Sequence, residues 1–223
     1  MLKPLGDSAI LIQLGDEIDP ILNQRIHALD ELLQTIPAVT ETVPAYCTLL
    51  VHYDPLTSTY TEIKNQIEEK LTLIDDATHR PSRRLEIPVL YGNASGLDAS
   101  TRLSTCFELV ATTLALSPSE LIRLHSEREY TVYMMGFMPG FPYMGILNEK
   151  LTMPRMSTPR TRVPAGSVAI AGSQTGIYPV DSPGGWHILG WTPLKLFDPL
   201  SESPFLFAPG DTVKFIPIEN NHA

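Results

Sequence analysis

Apolar positions along the first 91 residues alternate between short runs and helical stripes. Residues 8–14 form one apolar run between Gly6-Asp7 and Gly15-Asp16, which predicts a strand. Asp19-Pro20 then supplies a helix cap with proline at the first helical position. Leu22, Ile26, Leu29 and Leu33 recur at helical spacing behind it, and Pro37 ends that helix. Strands are predicted at 39–43 and 47–53, on either side of Pro44-Ala45. A second amphipathic helix over 59–74 carries Ile63, Ile67 and Leu71 on one side. After a polar, basic link at 78–84 comes a strand at 85–91. The order is β-α-β-β-α-β, a ferredoxin-like pattern that hosts many functions and implies none. The strand at 85–91 could equally belong to the next domain.

The second half has a different texture. Asp98 is placed to cap a helix with Leu103, Phe107, Val110 and Leu114 on its face. Ser117-Pro118-Ser119-Glu120 has capping-box spacing and starts a short helix ending near His125. Beyond Tyr130, apolar runs at 130–135, 167–171, 186–191 and 212–218 alternate with glycine and proline clusters. Such punctuation predicts a closed or nearly closed β-barrel, with Pro209-Gly210-Asp211 turning into its last strand. The chain is thus read as α+β, with an α/β domain over 1–83 and a β-barrel domain over 84–223.

Composition narrows the function classes. The 223 residues are 43% apolar and 18% charged, which suits two small globular domains. A formal net charge of -9 argues against nucleic acid or an anionic membrane as the main partner. The opening segment has neither the build of a signal peptide nor the length of a membrane span, so a cytoplasmic protein is expected. Cys47 and Cys106 each lie in apolar surroundings and read as reduced thiols.

An anion in so acidic a chain needs a local cluster of cations, and one stands out. Between Lys150 and Val180 there is no Asp or Glu, yet Lys150, Arg155, Arg160 and Arg162 all occur there. Arginine's planar fork grips carboxylate or phosphate through two hydrogen bonds. The alternative is that these arginines answer acidic groups elsewhere in the fold or at a subunit interface. Around them lie Gly136-Phe137-Met138-Pro139-Gly140, Gln174-Thr175-Gly176 and Ser182-Pro183-Gly184-Gly185-Trp186. Glycine loops let a ligand approach the main chain and expose N–H groups to an anion. Tyr143, Gln174 and Tyr178 could bind a polar substrate or simply pack and brace turns. His125 and His187 could act as acid–base groups or be structural. Trp186 is read as core or groove wall. Ser167 reads as a turn-to-strand serine, since no base lies near it in sequence. Phosphate-loop and nucleophile-elbow motifs are missing, and the six histidines lack metal-site spacing, so no metal is expected.

The run from Gly136 to Pro193 resembles the signature of the family that contains the B-type subunit of 5-oxoprolinase, allophanate hydrolase subunit 1 and a sporulation histidine-kinase inhibitor. Gly6-Asp7-Ser8-Ala9, Pro44-Ala45-Tyr46, Val51-His52-Tyr53-Asp54 and Tyr91-Gly92 resemble its N-terminal landmarks. The resemblance implies a cyclophilin-like barrel and a non-autonomous role in ATP-dependent conversion of 5-oxo-L-proline to L-glutamate, with 5-oxoprolinase subunits C and A as partners. ATP is then used by the complex, and no cofactor is assigned to this chain. The groove positions it implies are His125, Phe137, Pro139, Gly140, Tyr143, Arg155, Arg160, Gln174, Tyr178, Gly184, Gly185 and Trp186; Arg162 joins them from the basic patch. Among these, His125, Arg155 and Arg160 are the candidates for catalysis. Met156 and Trp191 stand where many relatives carry arginine, which thins the patch, and Cys47 replaces a residue that is often polar or basic. Inhibition of a sensor histidine kinase, or a place in an allophanate hydrolase or urea carboxylase system, are the alternative expectations.

Overall fold

The structure is a computed structural model that describes residues 1–74, 82–92 and 103–219, without the side chains of 103–105. It forms two compact units, Met1–Pro81 and Ser82–Ala223.

In the first unit, β1 (Leu2–Pro4), β2 (Ala9–Gln13), α1 (Pro20–Leu33), β3 (Val39–Pro44), β4 (Thr48–Tyr53) and α2 (Tyr60–Leu71) succeed one another along the chain. The sheet order is β1-β2-β4-β3, antiparallel throughout. Local chemistry starts both helices. The Asp19 carboxylate accepts the N–H groups of Ile21 and Leu22 at 2.7 and 3.0 Å. Thr59 and Glu62 form a reciprocal capping box. Alternate residues of β2 and β4 (Ile10, Ile12, Leu49, Val51) and the stripes Ile26-Leu29-Leu33 and Ile63-Ile67 make one buried core. The helical stripe begins differently from expectation. Leu22 is half-buried while Asn23 is buried, because its amide donates to the carbonyls of Ala45 and Tyr46 at 3.2 and 3.0 Å. Asn23 thereby ties α1 to the turn before β4.

The expected fourth strand of this sheet is not the run at 85–91. Its place at the edge beside β2 is taken by Leu2–Pro4, so the element order is β-β-α-β-β-α. The polar link is described only from residue 82 onward, and the proposed cap Asp98 lies outside the described residues.

The second unit begins with β5 (Arg84–Tyr91) and contains α3 (Leu103–Thr113), α4 (Pro118–Ser126), β6 (Glu129–Met135), β7 (Pro142–Gly145), β8 (Arg160–Val163), β9 (Ser167–Ala171), β10 (Gln174–Ile177), β11 (Ser182–Gly184), β12 (His187–Trp191) and β13 (Thr212–Pro217). Seven strands close a barrel in the order β10-β7-β6-β13-β5-β12-β9. Strand β5 belongs here because β13 runs parallel to it from Thr212 opposite Arg84 to Pro217 opposite Val89, with Ile87 and Val89 buried in the barrel. Closure leaves the barrel no free edge. Its interior is filled by Val132, Met144, Val168, Ile170, Ile177, Leu189, Val213 and Phe215, with Leu121 and Leu124 of α4 packed in the same cluster. Ser117 caps α4, accepting the N–H of Glu120 at 3.2 Å. A two-stranded ribbon of β8 and β11 stands apart from the barrel sheet. A separate apolar cluster, Phe141, Val163, Ala169, Ala171, Tyr178, Trp186, Ile188 and Cys106, underlies the candidate site. No described helix is long and apolar enough to cross a membrane.

Candidate functional site

The ribbon and the loops around it enclose a cavity of about 290 Å³. Its lining draws Phe137 from the β6–β7 loop, Arg155, Met156 and Pro159 from the segment before β8, and Pro183, Gly184, Gly185 and Trp186 from β11 and the turn after it. Phe141, Tyr143 and Tyr178 complete it. Ligand pockets commonly span roughly 300–1,000 Å³, so this one fits a compact ligand.

Phe141 is the hub of the wall. Its ring stands edge-on to Trp186 (5.5 Å, 84°), Tyr178 (5.3 Å, 80°) and Phe137 (5.9 Å, 85°), and lies 4.8 Å from Tyr143. Two glycines shape this wall. Gly140, at φ +84°, turns the chain just before Phe141. A side chain at Gly176 would meet the Phe141 ring at 2.8 Å.

The cations of the acid-free stretch separate into two kinds. Lys150 meets Glu120 at 3.6 Å. Arg162 is exposed and paired with Asp181 at 2.7 Å, and it does not line the cavity. Asp181 also accepts the Ala165 N–H; that bond first, and Arg162 second, hold its carboxyl below the usual range. Arg155 and Arg160 have no carboxylate partner among the described residues. The Arg155 guanidinium carbon sits 6.0 Å from the Trp186 ring centroid, in cation–π range. Arg160 donates to the Trp186 carbonyl at 3.1 Å and to the Met156 sulfur at 2.8 Å. Arg155 in the lining and Arg160 bonded to the wall thus bring two guanidinium groups without acidic partners among the described residues to a small aromatic cavity.

Burial raises the pKa of Tyr143 and Tyr178, opposed by Arg155 at both and by Arg160 at Tyr178. Both phenols therefore remain protonated at neutral pH. The Trp186 backbone also opposes the rise at Tyr178. Gly184 packs flat on that ring, since a side chain there would overlap the Tyr178 hydroxyl.

Of the residues singled out in the sequence, Phe137, Tyr143, Arg155, Tyr178, Gly184, Gly185 and Trp186 meet at the cavity, with Arg160 bonded to its wall. Gln174 starts β10 opposite Gly145 and is outside the lining, as is Gly140. His125 is elsewhere too. It is wholly buried in the barrel, stacked on Phe215 at 4.6 Å. Thr175 donates its hydroxyl to the Ala169 carbonyl, so it accepts from His125 Nε2 at 2.9 Å, and Nδ1 accepts from Tyr91 at 2.7 Å. Burial pushes the imidazole pKa down to about 3, so it is neutral at physiological pH. Ser167 is fully buried and donates to the Pro164 carbonyl at 2.7 Å, a turn contact. Phe141, Pro159 and Pro183 are lining residues that sequence reasoning did not single out. Phe141 is an aromatic between Gly140 and Pro142, and only the ring geometry separates it from core.

Residues 1–207 match the model of the carboxyltransferase domain, subdomain C and D. The chain belongs to that family. It is similar to the B-type subunit of 5-oxoprolinase from Bacillus subtilis (strain 168), 41% identical over 97% of this chain and 92% of that one. The protein of the same name from Escherichia coli O157:H7 is 38% identical over 96% of this chain and 94% of its own. Among solved structures, that of TTHA0988 superposes with a TM-score of 0.80 at 36% identity, covering 95% of this chain. The chain spans only 40% of the length of that longer molecule.

Proposed function

We propose that this chain is the B-type subunit of an ATP-dependent 5-oxoprolinase, a cyclic amide hydrolase that converts 5-oxo-L-proline to L-glutamate. The observation that carries the proposal is similarity along almost the whole length to proteins that bear the name of that subunit. The cavity supports it chemically. 5-Oxoproline is a compact flat ring bearing one carboxylate and one lactam carbonyl. Arg155 takes the carboxylate, Trp186 and Phe141 receive the ring, and the Tyr178 hydroxyl donates to the lactam oxygen. A donor at an oxygen that gains charge during ring opening is worth about 3–4 kcal/mol in a well-formed site. Arg160 holds the wall through the Trp186 carbonyl and adds positive potential.

ATP is consumed by the assembly, with 5-oxoprolinase subunits C and A as partners in the cytoplasm, and this chain is inactive alone. The barrel is proposed as cyclophilin-like, and the N-terminal unit as a ferredoxin-like variant whose edge strand comes from the N-terminus.

The test is glutamate release from 5-oxoproline and ATP by the reconstituted subunits, each omitted in turn. Activity that vanishes without this chain, and a KM for 5-oxoproline raised about tenfold or more by Arg155→Ala, are expected. Full activity without this chain would overturn the assignment. Silence from a well-folded complete mixture would favour the histidine-kinase regulator, to be read as inhibition of kinase autophosphorylation.

A further inference from the structure

Arg155 sits in a segment with little regular structure of its own, so something else must hold its backbone still. Three hydrogen bonds do so. The Gly172 N–H donates to the Met153 carbonyl at 2.7 Å, and the Met156 N–H donates to the Gly185 carbonyl at 2.8 Å. The third comes from a side chain: His187 Nε2 lies 2.9 Å from the Pro154 carbonyl. A carbonyl only accepts, so Nε2 carries the ring proton and donates it. Proline has no N–H, so this carbonyl is the single backbone group by which the residue before Arg155 can be tied.

His187 suits the task. It is 7% exposed and lies on β12, where it pairs with Ile170 of β9, so its ring starts from a rigid barrel strand. Its other nitrogen, Nδ1, is buried with no partner among the described residues. An imidazole that leaves one nitrogen unsatisfied on burial is a poorer packing element than a phenyl ring. What distinguishes it is the single N–H aimed at Pro154. Burial lowers the His187 pKa and, with the nearby Arg160 charge, outweighs the opposing pull of the Pro154 bond, so the ring stays neutral and this one donor persists.

We propose that His187 is a positioning residue for Arg155, fixing through the Pro154 carbonyl the place from which that guanidinium meets the substrate carboxylate. This rests on the role given to Arg155 above. The side chain of Arg155 is long, so a small shift of its Cα becomes a larger displacement of its guanidinium. Loss of the tether therefore weakens substrate binding more than turnover.

The experiment uses the assembled enzyme and measures KM and kcat for 5-oxoproline in His187→Phe, His187→Gln, Arg155→Ala and the Phe/Ala double variant. Phenylalanine keeps the ring volume without the donor, and glutamine restores a donor near the Nε2 position. The expected result for H187F is a KM raised about tenfold with kcat within about twofold. H187Q is expected to recover most of that loss. The double variant is expected to match R155A alone, because the tether acts through that residue. Should H187F fail to fold, His187→Asn, whose shorter amide cannot reach Pro154, takes its place with the same expectation. A KM penalty that persists undiminished in the R155A background would overturn the inference, as would an unchanged KM in H187F beside a raised KM in R155A. An unchanged KM in R155A would overturn the binding role of Arg155 itself, and this inference with it.

Discussion

Gly184 and Gly185 are neighbours in sequence and both line the cavity, yet replacing them with alanine should have very unequal consequences. A Cβ on Gly184 would overlap the Tyr178 hydroxyl and lie 2.7 Å from two of its ring carbons. Tyr178 is 1% exposed and stands edge-on to Phe141 at 5.3 Å, so its ring cannot swing aside without pushing the aromatic wall. Overpacking of this kind costs about 1–3 kcal/mol. For a protein of this size, about 1–3 kcal/mol corresponds to a fall in Tm of about 3–12 °C. A Cβ on Gly185 meets nothing nearer than the Met156 carbonyl and Pro159 at 3.7 Å, an ordinary contact. Gly185→Ala should therefore shift Tm by only a degree or two, by the small size of unstrained substitutions. Thermal unfolding of the two variants, with KM for 5-oxoproline in the assembled enzyme as a second readout, decides the matter. Equal Tm losses, or a larger loss for Gly185→Ala, would refute the packing argument.

The charges lead to two further expectations. His125 titrates near 3 when folded and near 6.5 when unfolded, so below about pH 6.5 the unfolded chain takes up a proton that the folded one refuses. Its contribution is complete above that pH and is lost as pH falls toward 3, by up to about 4–5 kcal/mol. Denaturant titrations between about pH 7 and 4 should show this slope in the parent and a flatter one in His125→Phe; identical slopes would exclude it. Arg162→Ala removes an exposed ion pair with Asp181 and should change stability by less than about 1 kcal/mol and KM by less than about twofold. A tenfold rise in KM for that variant would return Arg162 to the binding site.

Much of the local architecture was legible in the chain. The caps Asp19 and Ser117 work through N–H groups two or three residues away, so their chemistry is complete within a short window. The apolar stripe Ile26-Leu29-Leu33 and the runs that became β9 and β13 were visible for the same reason. Strands β7 and β10 were harder to see. They carry proline or glycine at Pro142, Gly145 and Gly176, and barrel closure and the Phe141 ring, rather than intrinsic preference, hold them extended.

The stretch from 151 to 180 without acidic residues was a property of the sequence alone, and with it the expectation of an anion site. Which of its cations remain without acidic partners was not. Arg162 is answered by Asp181, 19 positions on, and Lys150 by Glu120, 30 positions back, pairings that exist only once ribbon and helix are folded. The burial of His125, the allegiance of 85–91 to the barrel and the aim of His187 at Pro154 are of the same kind. Short-range chemistry is written in neighbouring residues. Charge compensation, desolvation and strand pairing depend on groups brought together from distant positions, so only the tertiary structure decides them.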